Sequence, residues 1–356
     1  MFSIFEYKEA FTLESGETLP GFHLGYTVLG KLDADKSNVV WVFHALTANS
    51  DASEWWAGLV GEGKLFDPAS HFIVCVNMPG SCYGSIHPLD INLATGELYL
   101  HDFPFFTPRD MIRAYQYLKN YLGIESIYAG LGGSMGGQQL LEWAIEEPAL
   151  FKYIIPIATN AFHSPWAIAF NASQRYCIES DITWSKKDKA AGMEGMKVAR
   201  SIALLSYRNY DTYLRYQSEE DTQKINGFKS ESYQRYQGKK LADRFNAFSY
   251  YALSKSMDAH NVGRGRVSVK EALAIIKAKT LVISISSDIL FPVSEQQFLT
   301  DHIPGASLVI INSTYGHDGF LLEFEQIQTA IEKFFSAVDN PAMDIKKETV
   351  VLNSGI

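Results

Sequence analysis

The sequence predicts an α/β fold: a mainly parallel central sheet interrupted by a helical insertion. Three observations carry that expectation. Continuous apolar runs of strand length alternate with amphipathic helical stretches, the pattern of strands covered on both faces by helices. A glycine-crowded stretch, 130-GLGGSMGGQQLLEWA-144, reads as strand, tight turn and helix. Strand-like texture then disappears from about 164 to 278 and returns at 280.

The elements follow in order. Residues 39–46 (VVWVFHAL) read as a buried strand running into a loop, and 72–77 (FIVCVN) as a second strand followed by a turn-rich segment. Across 109–122, Met111, Ile112, Tyr115, Leu118 and Leu122 recur at helical spacing. Residues 126–131 form a short apolar strand. Residues 135–145 form a packed helix carrying Leu140, Leu141, Trp143, Ala144 and Ile145, and 152–158 form another strand. The stretch rich in Tyr, Gln, Lys, Arg and Ser that follows contains helical segments such as 193–207. A strand at 280–287, a helix at 294–302, a strand at 307–312 and a helix at 325–338 complete the pattern. The expected division is a core of residues 1–163 and 279–356 with a helical lid, 164–278, inserted into it. The tail 339–356 is less regular.

Composition narrows the function. With 47% apolar and 20% charged residues, the 356-residue chain can bury a substantial core. A formal charge of −9 argues against a general nucleic-acid binder, which needs a basic face. Cys75, Cys82 and Cys177 form neither a C-x-x-C pair nor an even disulfide set. No run of about 18 apolar residues predicts a membrane span, and the N-terminus lacks a secretory pattern, so a cytoplasmic enzyme is expected. No metal-ligand spacing stands out.

Glycine costs more backbone entropy on folding than any other residue, so five glycines in eight positions around Ser134 imply a backbone shape that β-carbons would block. Gly132, Ser134 and Gly136 occupy the fixed positions of a G-x-S-x-G nucleophile elbow in the strand-to-helix context that motif requires. A phosphate loop would end in Gly-Lys-Ser/Thr, which is absent.

A serine nucleophile needs a base, and the base an orienting acid. In folds with this elbow the chain order is serine, acid, histidine. His163, His260, His302 and His317 follow Ser134, and only His317 lies in a loop just after a late strand. It is the expected base. Asp288, leaving the end of the preceding strand, is the expected acid; Asp301, at a helix end, is the poorer alternative. The backbone N–H groups of Met135 and of Leu46, in 44-HALTANS-50, are the expected oxyanion donors.

With these residues in place, HALT at 44–47, WWAGLVGEGKLFD at 55–67, GSCYGS at 80–85, GGSMGG at 132–137 and GHDGFL at 316–321 together resemble homoserine O-acetyltransferases. These are α/β-hydrolase-fold acyltransferases of methionine biosynthesis. The resemblance spans most of the chain. It implies acetyl transfer from acetyl-CoA, a co-substrate and not a resident cofactor, to the hydroxyl of L-homoserine through an acyl-serine. It also implies a homodimer formed by the lid helices. The family's lid arginine and tyrosine, seven residues apart, match Arg200 and Tyr207. The resemblance assigns Arg200 to the substrate α-carboxylate and Asp318 to its α-amino group. Two stretches depart from the family pattern: Ala48 stands where HALTG has glycine, and Ile86-His87-Pro88 where Thr-Gly-Pro is usual. Succinyl transfer to homoserine, acylation of serine, and ester or thioester hydrolysis are the alternatives.

Overall fold

The computed structural model describes residues 1–339 and 350–352. Among these, nine strands form one sheet: β1 (Phe2–Tyr7), β2 (Phe22–Leu29), β3 (Val39–Phe43), β4 (Phe72–Val76), β5 (Ile127–Gly133), β6 (Phe151–Ile157), β7 (Lys279–Ile285), β8 (Ser307–Ile311) and β9 (Val350–Leu352). Their spatial order is β1-β2-β4-β3-β5-β6-β7-β8-β9. From β4 to β9 every pairing is parallel; β1–β2 and β2–β4 are antiparallel. The first two strands are absent from the sequence-based expectation. The tail 339–356 lies outside the described residues apart from Asp339 and β9.

Strand β3 shows why the parallel part reads as continuous apolar sequence. Alternate side chains leave a strand on opposite faces. Val39, Trp41 and Phe43 join one buried cluster, with Met111, Tyr115, Leu140 and Trp143. Val40 and Val42 join another, with Ile327, Ile331 and Phe334. All five β3 residues are buried, so neither face tolerates a polar residue. The helices covering the first face are α1 (Pro108–Tyr121) and α2 (Met135–Glu146). Helix α1 starts with Thr107 and Asp110 in a reciprocal capping box and Pro108 in the first turn, which satisfies otherwise orphaned amides.

After β6 come α3 (Pro165–Glu179), α4 (Met193–Tyr207), α5 (Tyr210–Gln217), α6 (Lys229–Ala242), α7 (Ala247–Asp258) and α8 (Val269–Ala274). The sheet resumes with β7, followed by α9 (Val293–His302), β8 and α10 (Phe324–Asp339). No helix among the described residues is long and apolar enough to cross a membrane.

Candidate active site

Strand β5 delivers Ser134 to the N-terminus of α2 through an abrupt turn. Ser134 has φ 56° and ψ −125°, a conformation rare for a residue with a β-carbon. It is held by its own N–H donating to Ile157 O (3.0 Å) and by Thr159 Oγ1 donating to Ser134 O (2.8 Å). The flanking glycines permit close approach. A β-carbon on Gly132 would lie 2.4 Å from Gly136, and one on Gly136 would lie 2.1 Å from the Phe43 carbonyl oxygen. The glycine cost at these positions therefore brings α2 against the ends of β3 and β5.

Three strand ends converge on the serine. Ser134 Oγ lies 2.9 Å from His317 Nε2, and His317 Nδ1 lies 2.6 Å from Asp288 Oδ2. Asp288 Oδ1 accepts the amides of Leu290 (2.8 Å) and Phe291 (2.9 Å), which orients the carboxylate and occupies its second oxygen. All three side chains are at most 5% exposed. The imidazole is walled by Phe291 (5.1 Å between ring centroids), Phe320 (5.2 Å) and Tyr207 (5.7 Å). In this arrangement Nδ1–H donates to Asp288, leaving the Nε2 lone pair for the serine proton.

The other histidines after Ser134 lie elsewhere. His163 contacts Gln138 and Asn171, and burial pushes its pKa down to about 3. His260 Nε2 meets Asn160 O at 2.9 Å, and burial takes its pKa to about 4. His302 Nδ1 meets Phe298 O on its own helix. Asp301 is exposed and accepts from Gln297.

Leu46 and Met135 are both buried beside the elbow. Among the described hydrogen bonds neither backbone N–H has a protein acceptor, so both amides are available to a ligand oxygen. The loop bearing Leu46 begins at His44, a fully buried residue that sequence reasoning passed over. Burial lowers its pKa to about 4, so it is neutral. Its Nε2 accepts from Met78 N–H (3.1 Å), which leaves Nδ1–H to donate to Ala45 O (2.8 Å).

Helix α4 carries Arg200 at its middle and Tyr207 at its C-terminal end, on the side of the same site. The Arg200 guanidinium lies 5.3 Å from the Tyr207 ring centroid, a cation–π distance. Burial pushes the Tyr207 phenol up, while Arg200 pulls it the other way. Asp318 follows His317 directly and pairs with Arg208 Nε at 3.2 Å. Sequence reasoning missed Arg208; its position next to Tyr207 was the available signal. It also missed Glu295 on α9, whose carboxyl is pushed up to about 7, chiefly by burial and with a contribution from the Asp288 charge; Asn160 Nδ2 donates to it at 2.9 Å.

Residues 38–324 match the α/β hydrolase fold family. The chain is 49% identical over 332 residues to the homoserine O-acetyltransferase of Cyclobacterium marinum, covering 93% of this chain and 94% of that one. The chain belongs to the homoserine O-acetyltransferase family. Within that family a solved homoserine O-acetyltransferase from Bacillus anthracis superposes with TM-score 0.86 at 25% identity, covering 94% of this chain and 97% of that one. Esterase E22 superposes almost as well, with TM-score 0.84 at 22% identity over 94% of this chain and 99% of that one. Architecture alone therefore does not separate the family from esterases; sequence identity along the whole chain does.

Proposed function

We propose that the enzyme transfers an acetyl group from acetyl-CoA to the hydroxyl of L-homoserine through an acyl-enzyme on Ser134. The observation that carries this reading is the unbroken Ser134–His317–Asp288 line in a chain so similar to curated homoserine O-acetyltransferases.

His317 Nε2 takes the Ser134 proton as Oγ attacks the thioester carbonyl. The carbonyl becomes an oxyanion, held by the Leu46 and Met135 amides and favoured by the positive end of α2. Collapse breaks the C–S bond, and His317 returns its proton to the departing thiolate. Homoserine then enters. His317 removes its hydroxyl proton, the oxygen attacks the acyl carbon, and a second oxyanion forms in the same hole. Collapse breaks the bond to Ser134 Oγ, which recovers its proton from His317. Asp288 keeps the imidazole in one tautomer and stabilises the imidazolium without taking the proton. Arg200 grips the acceptor carboxylate, Tyr207 lines the acceptor site, and Asp318 receives the ammonium. Acyl transfer and hydrolysis differ in the acceptor used in the second step, and a site walled by Tyr207, Phe291 and Phe320 disfavours water there.

The test is thiol release from acetyl-, succinyl- and propionyl-CoA with L-homoserine, L-serine or no acceptor. Fast release only with acetyl-CoA and homoserine is expected. Equally fast release without an amino acid would assign the chain to hydrolysis. We also infer a homodimer through the lid, supported by exposed apolar side chains at Val198, Leu205 and Leu214 on α4 and α5; light scattering that returns a monomer mass would refute it.

A further inference from the structure

The loop carrying the proposed Leu46 donor is fastened to the core at both ends. His44 meets Met78 at one end. At the other, the Ser50 amide donates to Asn77 Oδ1 (2.7 Å) and Asn77 Nδ2 donates to Ser50 Oγ (3.0 Å). Within the loop, Ala48 N–H closes a turn onto Ala45 O (3.0 Å). The carbonyl of Thr47, the residue after Leu46, takes its hydrogen bond from the insertion: Arg244 Nη1 donates to it at 2.5 Å. The same nitrogen donates to Tyr83 Oη at 2.7 Å. Around it, Phe245 packs against the Tyr83 ring (5.8 Å between centroids), and Cys82 Sγ lies 3.8 Å from the Arg244 carbonyl oxygen. Arg244, in the turn between α6 and α7, thus joins three segments: the lid, loop 44–50 and turn 80–85.

We infer that Arg244 is a positioning residue that sets the oxyanion-hole loop from the lid. The inference rests on the reading of Leu46 N–H as an oxyanion donor. Arg244 holds the middle of the loop while the core holds its ends. A guanidinium suits the task, because one nitrogen offers two N–H groups in a fixed plane and the positive charge strengthens both bonds. The arrangement ties the same insertion that bears Arg200 and Tyr207 to the loop whose amide meets the developing charge. A loop displaced by a fraction of an ångström would still bind both substrates and would lose stabilisation chiefly in the transition state. Arg244 is itself exposed, so removing it strands no buried charge and should leave the fold intact.

The experiment compares Arg244→Ala, Arg244→Lys, Tyr83→Phe and Ser134→Ala in steady-state acetyl transfer to homoserine. Arg244→Ala should lower kcat about ten-fold or more, with KM for homoserine within about two-fold and the melting temperature unchanged. Added guanidinium ion should restore part of the lost kcat in Arg244→Ala and none in Ser134→Ala. Arg244→Lys should fall between, and Tyr83→Phe should show a smaller fall confined to kcat. Unchanged kcat in Arg244→Ala, a fall that guanidinium does not relieve, or an effect limited to the homoserine KM would each overturn the assignment. Turnover by Ser134→Ala would instead sink the acyl-enzyme reading; a dead Ser134→Ala beside a fully active Arg244→Ala sinks only the positioning role.

Discussion

At the residue scale the site depends on hydrogen-bond direction. Asp288 offers His317 an acceptor and nothing else, because its other oxygen is taken by the Leu290 and Phe291 amides. An amide side chain in its place can present an N–H to Nδ1 and so turn the imidazole to the tautomer with no lone pair toward the serine. Asp288→Asn should therefore lower kcat by on the order of 10⁴, with little change in substrate KM. A loss below about ten-fold, measured as thiol release, would mean that His317 is oriented by something else. Arg200 makes a different prediction. Its guanidinium sits over the Tyr207 ring and, among the described residues, is paired with no carboxylate. Arg200→Ala should raise the homoserine KM by about ten-fold or more while the acetyl-CoA KM stays put, as loss of a charge-assisted contact worth about 1.5–3 kcal/mol requires. Unchanged homoserine kinetics would remove Arg200 from the acceptor site.

At the scale of elements, the elbow trades backbone freedom for position. Gly136 meets β3 so closely that any side chain must push α2 away from the sheet. Gly136→Ala should cost more than about 2 kcal/mol in urea unfolding, the range of overpacking at a tight site, and should abolish activity in whatever protein folds. Stability and activity like the parent's would show that the elbow can relax. The same strand–turn–helix unit explains what could be read from sequence. The glycine spacing around Ser134 is local, and the serine–aspartate–histidine order is preserved along any chain that folds this way, so both are visible without coordinates. Strand β2 was not visible. Its residues, Phe22–Leu29, mix buried and half-buried positions and include Gly25, since the strand pairs antiparallel near the sheet edge. The Arg244–Thr47 bond was equally hidden: its partners stand 197 residues apart, and an exposed arginine in a polar stretch gives no periodic signal.

At the scale of the whole molecule, three buried neutral histidines link stability to pH. Burial lowers the pKa of His44 and His260 to about 4 and of His163 to about 3. The unfolded chain takes up these protons near pH 6.5 and the folded chain does not. The stabilisation is therefore fully present above about pH 6.5 and is lost as pH falls toward the folded values. Glu295, with its pKa raised to about 7, works in the opposite direction, favouring the fold below its unfolded pKa and losing that contribution as pH rises through 7. Three groups outweigh one, so the melting temperature should drop steadily from pH 6.5 to pH 4.5; a flat profile would mean that the histidines are protonated in the fold. The claim on which the whole account rests, an acyl group carried by Ser134 between two substrates, has a direct measurement. Intact-mass and peptide analysis after mixing enzyme with acetyl-CoA alone should find one acetyl group on Ser134, and a chase with L-homoserine should clear it as O-acetylhomoserine appears. An unmodified serine in an enzyme that nonetheless turns over with rapid mixing, or an acetyl group that leaves no faster with homoserine than in buffer, would contradict it.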